Sequence, residues 1–239
     1  MINVYNESSL HKTLKEMYAL NEGAETEVAQ DGYVYDIMKE DGSVIEIQTK
    51  NVSKLYVKIK TALDKGRKCR IVHPLVTEKT IILTDKSGNI TSRRKSPKRE
   101  NSYSIFRELT GIYPLLLHEN FTLETAEVSV TEERIKTEEP VQSPNGKRRF
   151  KKDWLKKDKK LNEILKTRTL RQKEDYLSFL PPGLPEEFSV KDVQNLLKMQ
   201  GQPKSTWVQA GIMLWVLTHM NLIEKNGAKG RSYLYRIIK

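Results

Sequence analysis

The segment YDIMKEDGSVIEIQTKN, residues 35–51, constrains the chain more than any other, because its turn fixes a strand register and with it the placement of two acids. Glu40-Asp41-Gly42 reads as a three-residue hairpin loop with glycine in the left-handed position. Such a loop pairs Lys39 with Ser43, and therefore Asp36 with Glu46. Residues opposed in an antiparallel ladder share a face, with Cβ atoms about 4.5–5.5 Å apart, so the two carboxylates are expected to converge. The strand period adds Gln48 and Lys50 to that face and turns Ile45 and Ile47 to the other. Opposed like charges repel. A divalent cation held by carboxylate, carbonyl and water oxygens would offset the repulsion, and such a metal can activate water for attack on a phosphodiester.

Around this hairpin the pattern predicts an α-β-β-β-α-β-β order. In SSLHKTLKEMYAL, Ser8 or Ser9 can cap a helix whose Leu10, Leu14, Met17 and Tyr18 share a face. Strands are expected near 25–30, 33–39 and 43–50, and a helix over 52–65 that stops at Gly66. CRIVHPL and TIILTD read as two further strands, with a short one after Ser87-Gly88-Asn89. TSRRKSPKRENS reads as a basic loop, YSIFRELTGIYPLLL as a helix broken by Pro114, and FTLETAEVSVTEERI as an alternating edge strand.

At 239 residues the chain has room for one large domain or two ordinary ones. Its net charge of +11 is unevenly placed. Residues 1–135 hold 20 basic and 20 acidic side chains, whereas 136–239 hold 22 and 11. Between 147 and 173 the counts are 13 and 3, a balance that fits either a polyanion partner or a solvated tether. TEEPVQSPNGKRR, residues 137–149, shows no periodicity and is expected to be a linker. The division is therefore a core over 1–135, a basic linker or helix over 136–173, and a second domain over 174–239.

In the last of these, Ser189 and Asp192 form a capping box, with Phe188 and Val193 placed as a hydrophobic staple. A further helix is expected over 204–220, and two strands around a glycine-rich basic turn. Helix, helix, helix, hairpin resembles a winged helix, a winged helix-turn-helix domain. The resemblance implies DNA contacts from Lys204, Ser205, Thr206 and Gln209 at the recognition helix and from Lys229 and Arg231 in the wing. Lys151, Lys152, Lys156 and Lys157 in the basic stretch would add phosphate contacts. Trp207, Leu214 and Trp215 read as core residues. A protein-docking role for the module stays open.

The order of elements over about residues 5–85, with Asp36 one short hairpin before Glu46-Ile47-Gln48 and a helix directly after, resembles the PD-(D/E)XK nuclease-like superfamily. The whole chain resembles a bacterial family that adds a C-terminal module to this core. The resemblance implies a restriction-endonuclease-like α/β (α+β) fold with a mixed sheet. It implies Mg²⁺ or Mn²⁺ held by Asp36 and Glu46, Gln48 in the third motif position where a lysine is usual, and Glu7 joining from the first helix. Lys50 on the same strand face, or Lys54 or Lys58 from the following helix, would supply the missing cation.

The four histidines show no metal spacing, and His73 is the one that could approach the rim of the site. A single cysteine, Cys69, excludes an internal disulfide or a cysteine zinc cluster. Phosphate-loop, dinucleotide and serine-hydrolase motifs are absent. No apolar run has the roughly 18 residues of a membrane span, and the N-terminus is too polar for a signal peptide, so a cytoplasmic protein without membrane contact is expected. The functional expectation is a Mg²⁺-dependent DNA endonuclease or nuclease-like protein. Its rivals are a non-catalytic DNA-binding or regulatory protein with a degenerate nuclease core, and a protein-interaction adaptor. A homodimer is compatible with each.

Overall fold

A computed structural model describes residues 8–144 and 146–238. Helix α1, Ser9–Glu22, is capped by Ser8, whose hydroxyl accepts the His11 amide at 3.4 Å. Three antiparallel strands follow: β1, Glu25–Gln30; β2, Tyr33–Met38; and β3, Val44–Ile47. The β2–β3 turn has Gly42 at φ 76°, and Lys39 N–H donates to Ser43 O at 2.9 Å, as the hairpin reading requires. A 3₁₀ turn over Val52–Leu55 leads into α2, Tyr56–Asp64, which carries the chain across to β4, Cys69–Thr84, parallel to β3.

Beyond this point the expectations and the fold diverge. CRIVHPL and TIILTD are one 16-residue strand, β4. The short strand expected after Ser87-Gly88-Asn89 forms as β5, Ile90–Lys95, antiparallel to the end of β4, and takes up the first residues of the expected basic loop. The helix expected before Pro114 is a 3₁₀ turn, Ser102–Ile105, then α3, Phe106–Leu109, and a second 3₁₀ turn, Tyr113–Leu115. The expected edge strand is interior. It is β6, Phe121–Val141, parallel to β4 along one side and antiparallel on the other to β7, Lys152–Leu170. Residues 136–173 are accordingly neither linker nor helix but mainly a hairpin arm of the sheet.

The physical reason lies in β6. Its Glu127 and Glu132 stand opposite Lys166 and Lys159 of β7, and Lys160 reaches Glu133 diagonally at 2.6 Å. Opposite charges on neighbouring strands stabilise pairing. Thus the charge that reads as a tether is half of a complementary strand pair. The sheet order is β1-β2-β3-β4-β6-β7, with β5 added to β4. The molecule is mixed α/β with a mixed sheet.

Two apolar layers cover the sheet. On one face Leu10, Leu14 and Tyr18 of α1 meet Ile37, Ile45, Ile47, Val72, Val128 and Val130. On the other, Ile59, Ala62 and Leu63 of α2 meet Val44, Ile71 and Leu123, and this core continues into the C-terminal helices through Phe106, Tyr176, Phe179 and Met213. Those helices are α4, Lys173–Leu177; α5, Val190–Met199; α6, Lys204–Trp207; and α7, Ala210–His219. The helix expected over 204–220 is therefore interrupted after Trp207. Strands β8, Ile223–Lys229, and β9, Ser232–Ile237, close the chain as a hairpin, and Phe188 pairs with Tyr235 beside it. Leu214 is fully buried as expected, while Trp215 is 40% exposed and stacks on His219.

The capping box forms as read from the sequence. Asp192 Oδ2 accepts the Ser189 amide at 2.8 Å, and Ser189 Oγ accepts the Asp192 amide at 3.3 Å. Ser189→Ala should lower stability by about 1 kcal/mol in denaturant unfolding, the usual worth of an N-cap. An unchanged midpoint and slope would show that α5 holds its start by burial of Phe188 and Val193 alone.

Candidate functional site

Asp36 and Glu46 occupy the next rung after the ladder pairs Met38↔Val44 and Ile37↔Ile45. There the strands part. Asp36 N–H donates to Glu46 Oε1 at 3.2 Å, and Ile47 N–H donates to Asp36 Oδ2 at 2.9 Å, so each carboxylate takes a backbone amide of the opposite strand. The β1–β2 ladder also skips the Glu27–Asp36 position, where Glu27 has a left-handed φ of 56°. The strand reverses its faces at this irregularity. Tyr35 lies in the core under α2, and Ile37 in the core under α1.

The two acids consequently acquire different cations. His11 of α1 places Nε2 3.4 Å from Asp36 Oδ2. Lys58 of α2 places Nζ 2.5 Å from Glu46 Oε1 and 5.0 Å from the centre of the Tyr35 ring. Burial pushes Glu46 up from its usual 4.5 to about 7, aided by the Asp36 charge and opposed by Lys58. Burial also acts upward on Asp36, but the His11 contact and the Ile47 amide overcome it and hold this carboxyl below its usual value. Asp36 Oδ1 and Glu46 Oε2 make no hydrogen bond to the described residues. Among the described residues no group of three His, Cys, Asp or Glu side chains could hold a metal ion. The pair alone offers two carboxylates, and Lys58 already occupies one of them.

The remaining expected site residues divide. Glu7 lies outside the described residues. Gln48 turns away from the acids: its Nε2 donates to Lys50 O at 2.5 Å, and its own carbonyl faces His73 Nδ1 at 2.6 Å. Lys50 is exposed and lines a groove of about 970 Å³ with Lys98, Lys147, Arg148, Lys156 and Lys157. Ser8 and Asp158 close the groove where Asp158 caps Ser9 of α1, two residues before His11. Glu132 is its other acid, and this carboxylate is already committed to Lys79 at 3.3 Å and to Arg134. Trp154 stands between two guanidinium groups, Arg134 at 3.5 Å and Arg148 at 4.0 Å from the ring centre. Lys159 is pushed down to about 8 by burial and by the charges of Lys156 and Lys50, a measure of how closely the cations gather.

Lys151 and Lys152 precede the groove and do not line it. In the C-terminal part, Thr206 and Gln209 are buried rather than presented. Asn101 Nδ2 lies 3.1 Å from both Ser205 Oγ and Thr206 Oγ1, and Arg107 Nε donates to Gln209 Oε1 at 2.9 Å. Lys204, Lys229 and Arg231 are exposed. Sequence reasoning passed over His11, Lys159 and Trp154. The i to i+3 step from Ser8 to His11 on a capped helix is the one signal that could have placed His11 beside the hairpin.

The Glu46 shift makes a pH prediction. Between about pH 4.5 and 7 the folded state holds this proton more tightly than the unfolded chain, so Glu46 contributes stability at low pH that is lost as pH rises through 7. Glu46→Gln keeps the shape without the charge. Its stability minus that of the wild type should climb through this window by up to about 3 kcal/mol and then level off. Urea unfolding at a series of pH values measures the difference curve, and a flat curve refutes the assignment.

The family model described as Domain of unknown function (DUF8091) matches residues 8–171, which run from the cap of α1 to the end of β7. An "Uncharacterized protein" of Treponema pallidum (strain Nichols) is 29% identical over 235 residues, covering 98% of this chain and 87% of that protein. No solved structure matches. With the seven-stranded sheet, the carboxylate pair and the basic groove inside the matched residues, the chain belongs to the DUF8091 family.

Proposed function

We propose that this protein binds nucleic acid through its phosphodiester backbone, with DNA as the first partner to test. The observation that carries the reading is the groove of Lys50, Lys98, Lys147, Arg148, Lys156 and Lys157, whose two acids are already engaged, Glu132 by Lys79 and Arg134 and Asp158 by Ser9. Phosphate contacts supply most non-specific affinity for nucleic acids. The C-terminal helices and hairpin are consistent with a winged helix in which Lys229 and Arg231 of the hairpin tip touch phosphates. The buried Thr206 and Gln209 argue against base reading by α6 in this arrangement. The order α1-β1-β2-β3-α2-β4, with β3 parallel to β4, supports a nuclease-like ancestry for the core.

If about five phosphates are engaged, log K for duplex DNA should fall with log salt at a slope near −4.5. Lys156→Glu with Lys157→Glu should flatten that slope by about 2. Lys151→Glu with Lys152→Glu, outside the groove, should change it less. Equal effects of the two double variants, or salt-independent binding, would remove the groove from the interface.

A second reading, metal-dependent cleavage, is favoured by one specific contact: Lys58 reaches Glu46 from α2, as a lysine replacing Gln48 would have to. Mg²⁺ or Mn²⁺ held by Asp36 and Glu46 would supply activated water beside a bound phosphodiester. Lys58 would have to yield or share Glu46. On this reading Glu46→Ala abolishes cleavage with Mn²⁺ while leaving DNA affinity within about twofold, and Lys58→Ala lowers the rate by about 10²-fold or more. Absence of cleavage by the wild type on linear, supercoiled, branched and single-stranded DNA leaves the binding function alone.

A further inference from the structure

Strand β4 has a one-sided gap. Its pairing with β3 ends at Ile47↔Val72, its pairing with β5 begins at Thr80, and Pro74 lies in the interval. The loop after β5 returns along this gap: Glu100 N–H donates to Val76 O at 2.9 Å, and Glu100 Oε2 accepts the Val76 amide at 2.7 Å. Between that loop, α3 and the start of α6 lies a second pocket of about 700 Å³. Lys98 lines both it and the groove, so the two are neighbours.

The wall chemistry is mixed in a defined way. Lys98, Arg99 and Arg107 bring three cations. The two acids on the wall are each engaged by a backbone amide, Glu100 by Val76 and Glu108 by Val52 at 3.0 Å. Leu75, Pro97, Pro203 and Val208 supply apolar surface. His73, only 4% exposed, lines the same space. Because a carbonyl can only accept, the 2.6 Å contact with Gln48 O puts the His73 proton on Nδ1. Burial lowers the His73 pKa and so keeps the ring neutral. Its Nε2 is then an acceptor, with no hydrogen bond to the described residues. Anion donors at one part of a half-apolar cavity and a fixed acceptor at another form a built site for a molecule with a phosphate and a flat, amino-bearing ring.

We propose that this pocket binds a nucleoside monophosphate unit, its phosphate against Lys98, Arg99 and Arg107 and its base against Leu75, Pro97 and Val208, with His73 Nε2 accepting from a base amino group. The unit is either a free nucleotide or the terminal residue of a strand lying in the groove, and the second source rests on the nucleic-acid reading above. Calorimetric titration of the full chain with AMP, CMP, adenosine and inorganic phosphate tests the chemistry. AMP and CMP should bind at least about tenfold more tightly than adenosine or phosphate. Val208→Trp, at a position 41% exposed and therefore tolerant of a larger side chain, should fill the pocket and weaken AMP by about tenfold or more. Lys98→Glu with Arg99→Glu, on an exposed loop, should do the same through charge.

Single-stranded oligonucleotides with 5′-phosphate or 5′-hydroxyl ends separate the sources. A phosphate-end preference that Val208→Trp abolishes assigns the pocket to a strand terminus, and its absence beside tight AMP binding assigns it to a free nucleotide. No saturable AMP or CMP binding, phosphate binding as tight as AMP, or AMP binding unchanged by Val208→Trp would overturn the proposal. Duplex binding that persists in those cases leaves the groove reading intact. AMP binding that persists in Lys156→Glu with Lys157→Glu, while duplex binding is lost, shows the two sites to be separate.

Discussion

The parallel pairing of β4 with β6, from Cys69↔Phe121 to Thr84↔Ile135, is the interaction on which the remaining architecture depends. A parallel pair needs a long connection. Here that connection holds β5, the 97–101 loop and α3, and the last two form much of the wall of the second pocket. The pairing also makes β6 an interior strand, and an interior β6 needs a partner on its outer side. The opposed pairs Glu127 with Lys166 and Glu132 with Lys159 favour the basic β7 in that role. Lys156 and Lys157 of β7 line the groove, and the gap beside Pro74 is the stretch of β4 whose one strand neighbour is β6. A residue without an N–H is tolerated best where a strand has one neighbour rather than two.

Local chemistry was legible in the sequence wherever it decided the structure by itself. Glu40-Asp41-Gly42 gave the correct register for Asp36 and Glu46, Ser8 and Ser189 gave the starts of α1 and α5, and Gly66 ended the excursion after α2. Long-range pairing was not legible. Strand β7 is 19 residues long, beyond the usual 3–10, and its register against β6 shifts four times. Each shift resets the two-residue alternation, so no window longer than a few residues shows a strand period. The end of β4 and the course of β6 failed to read correctly for a related reason. The short apolar runs CRIVHPL and TIILTD look separate because Thr77, Glu78 and Lys79 intervene, yet a parallel neighbour carries the strand through them with one irregularity, between Val76 and Glu78.

The candidate site divides along the same line. Opposed carboxylates follow from hairpin geometry, and Lys58 from its place on the helix that follows. Their partition between the two faces of the sheet follows from neither. It depends on the irregularity at Glu27 and Asp36, a two-strand property that sends Tyr35 to one core and Ile37 to the other. A strict alternation would have placed Asp36, Glu46, Gln48 and Lys50 in a row. Instead Gln48 closes the turn after β3 and joins His73, and Lys50 turns to the groove, so one expected site becomes two neighbouring features.

The charge state of the pair bears on whether those features act together. Two acids face one permanent cation, Lys58, and a histidine that adds charge only when protonated. Had Lys58 fully compensated burial and the Asp36 charge, Glu46 would not be raised to about 7. Near neutral pH Glu46 is therefore about half protonated, and Asp36 Oδ1 and Glu46 Oε2, which make no hydrogen bond to the described residues, are where further positive charge would be stabilising. A phosphate in the groove beyond Ser8 and Asp158 would favour that added positive charge, because it brings negative charge to the same end of α1. Binding of a polyanion and uptake of a cation, whether a proton on Glu46 or a metal ion, are thus thermodynamically linked: each favours the other in proportion to the charge they share.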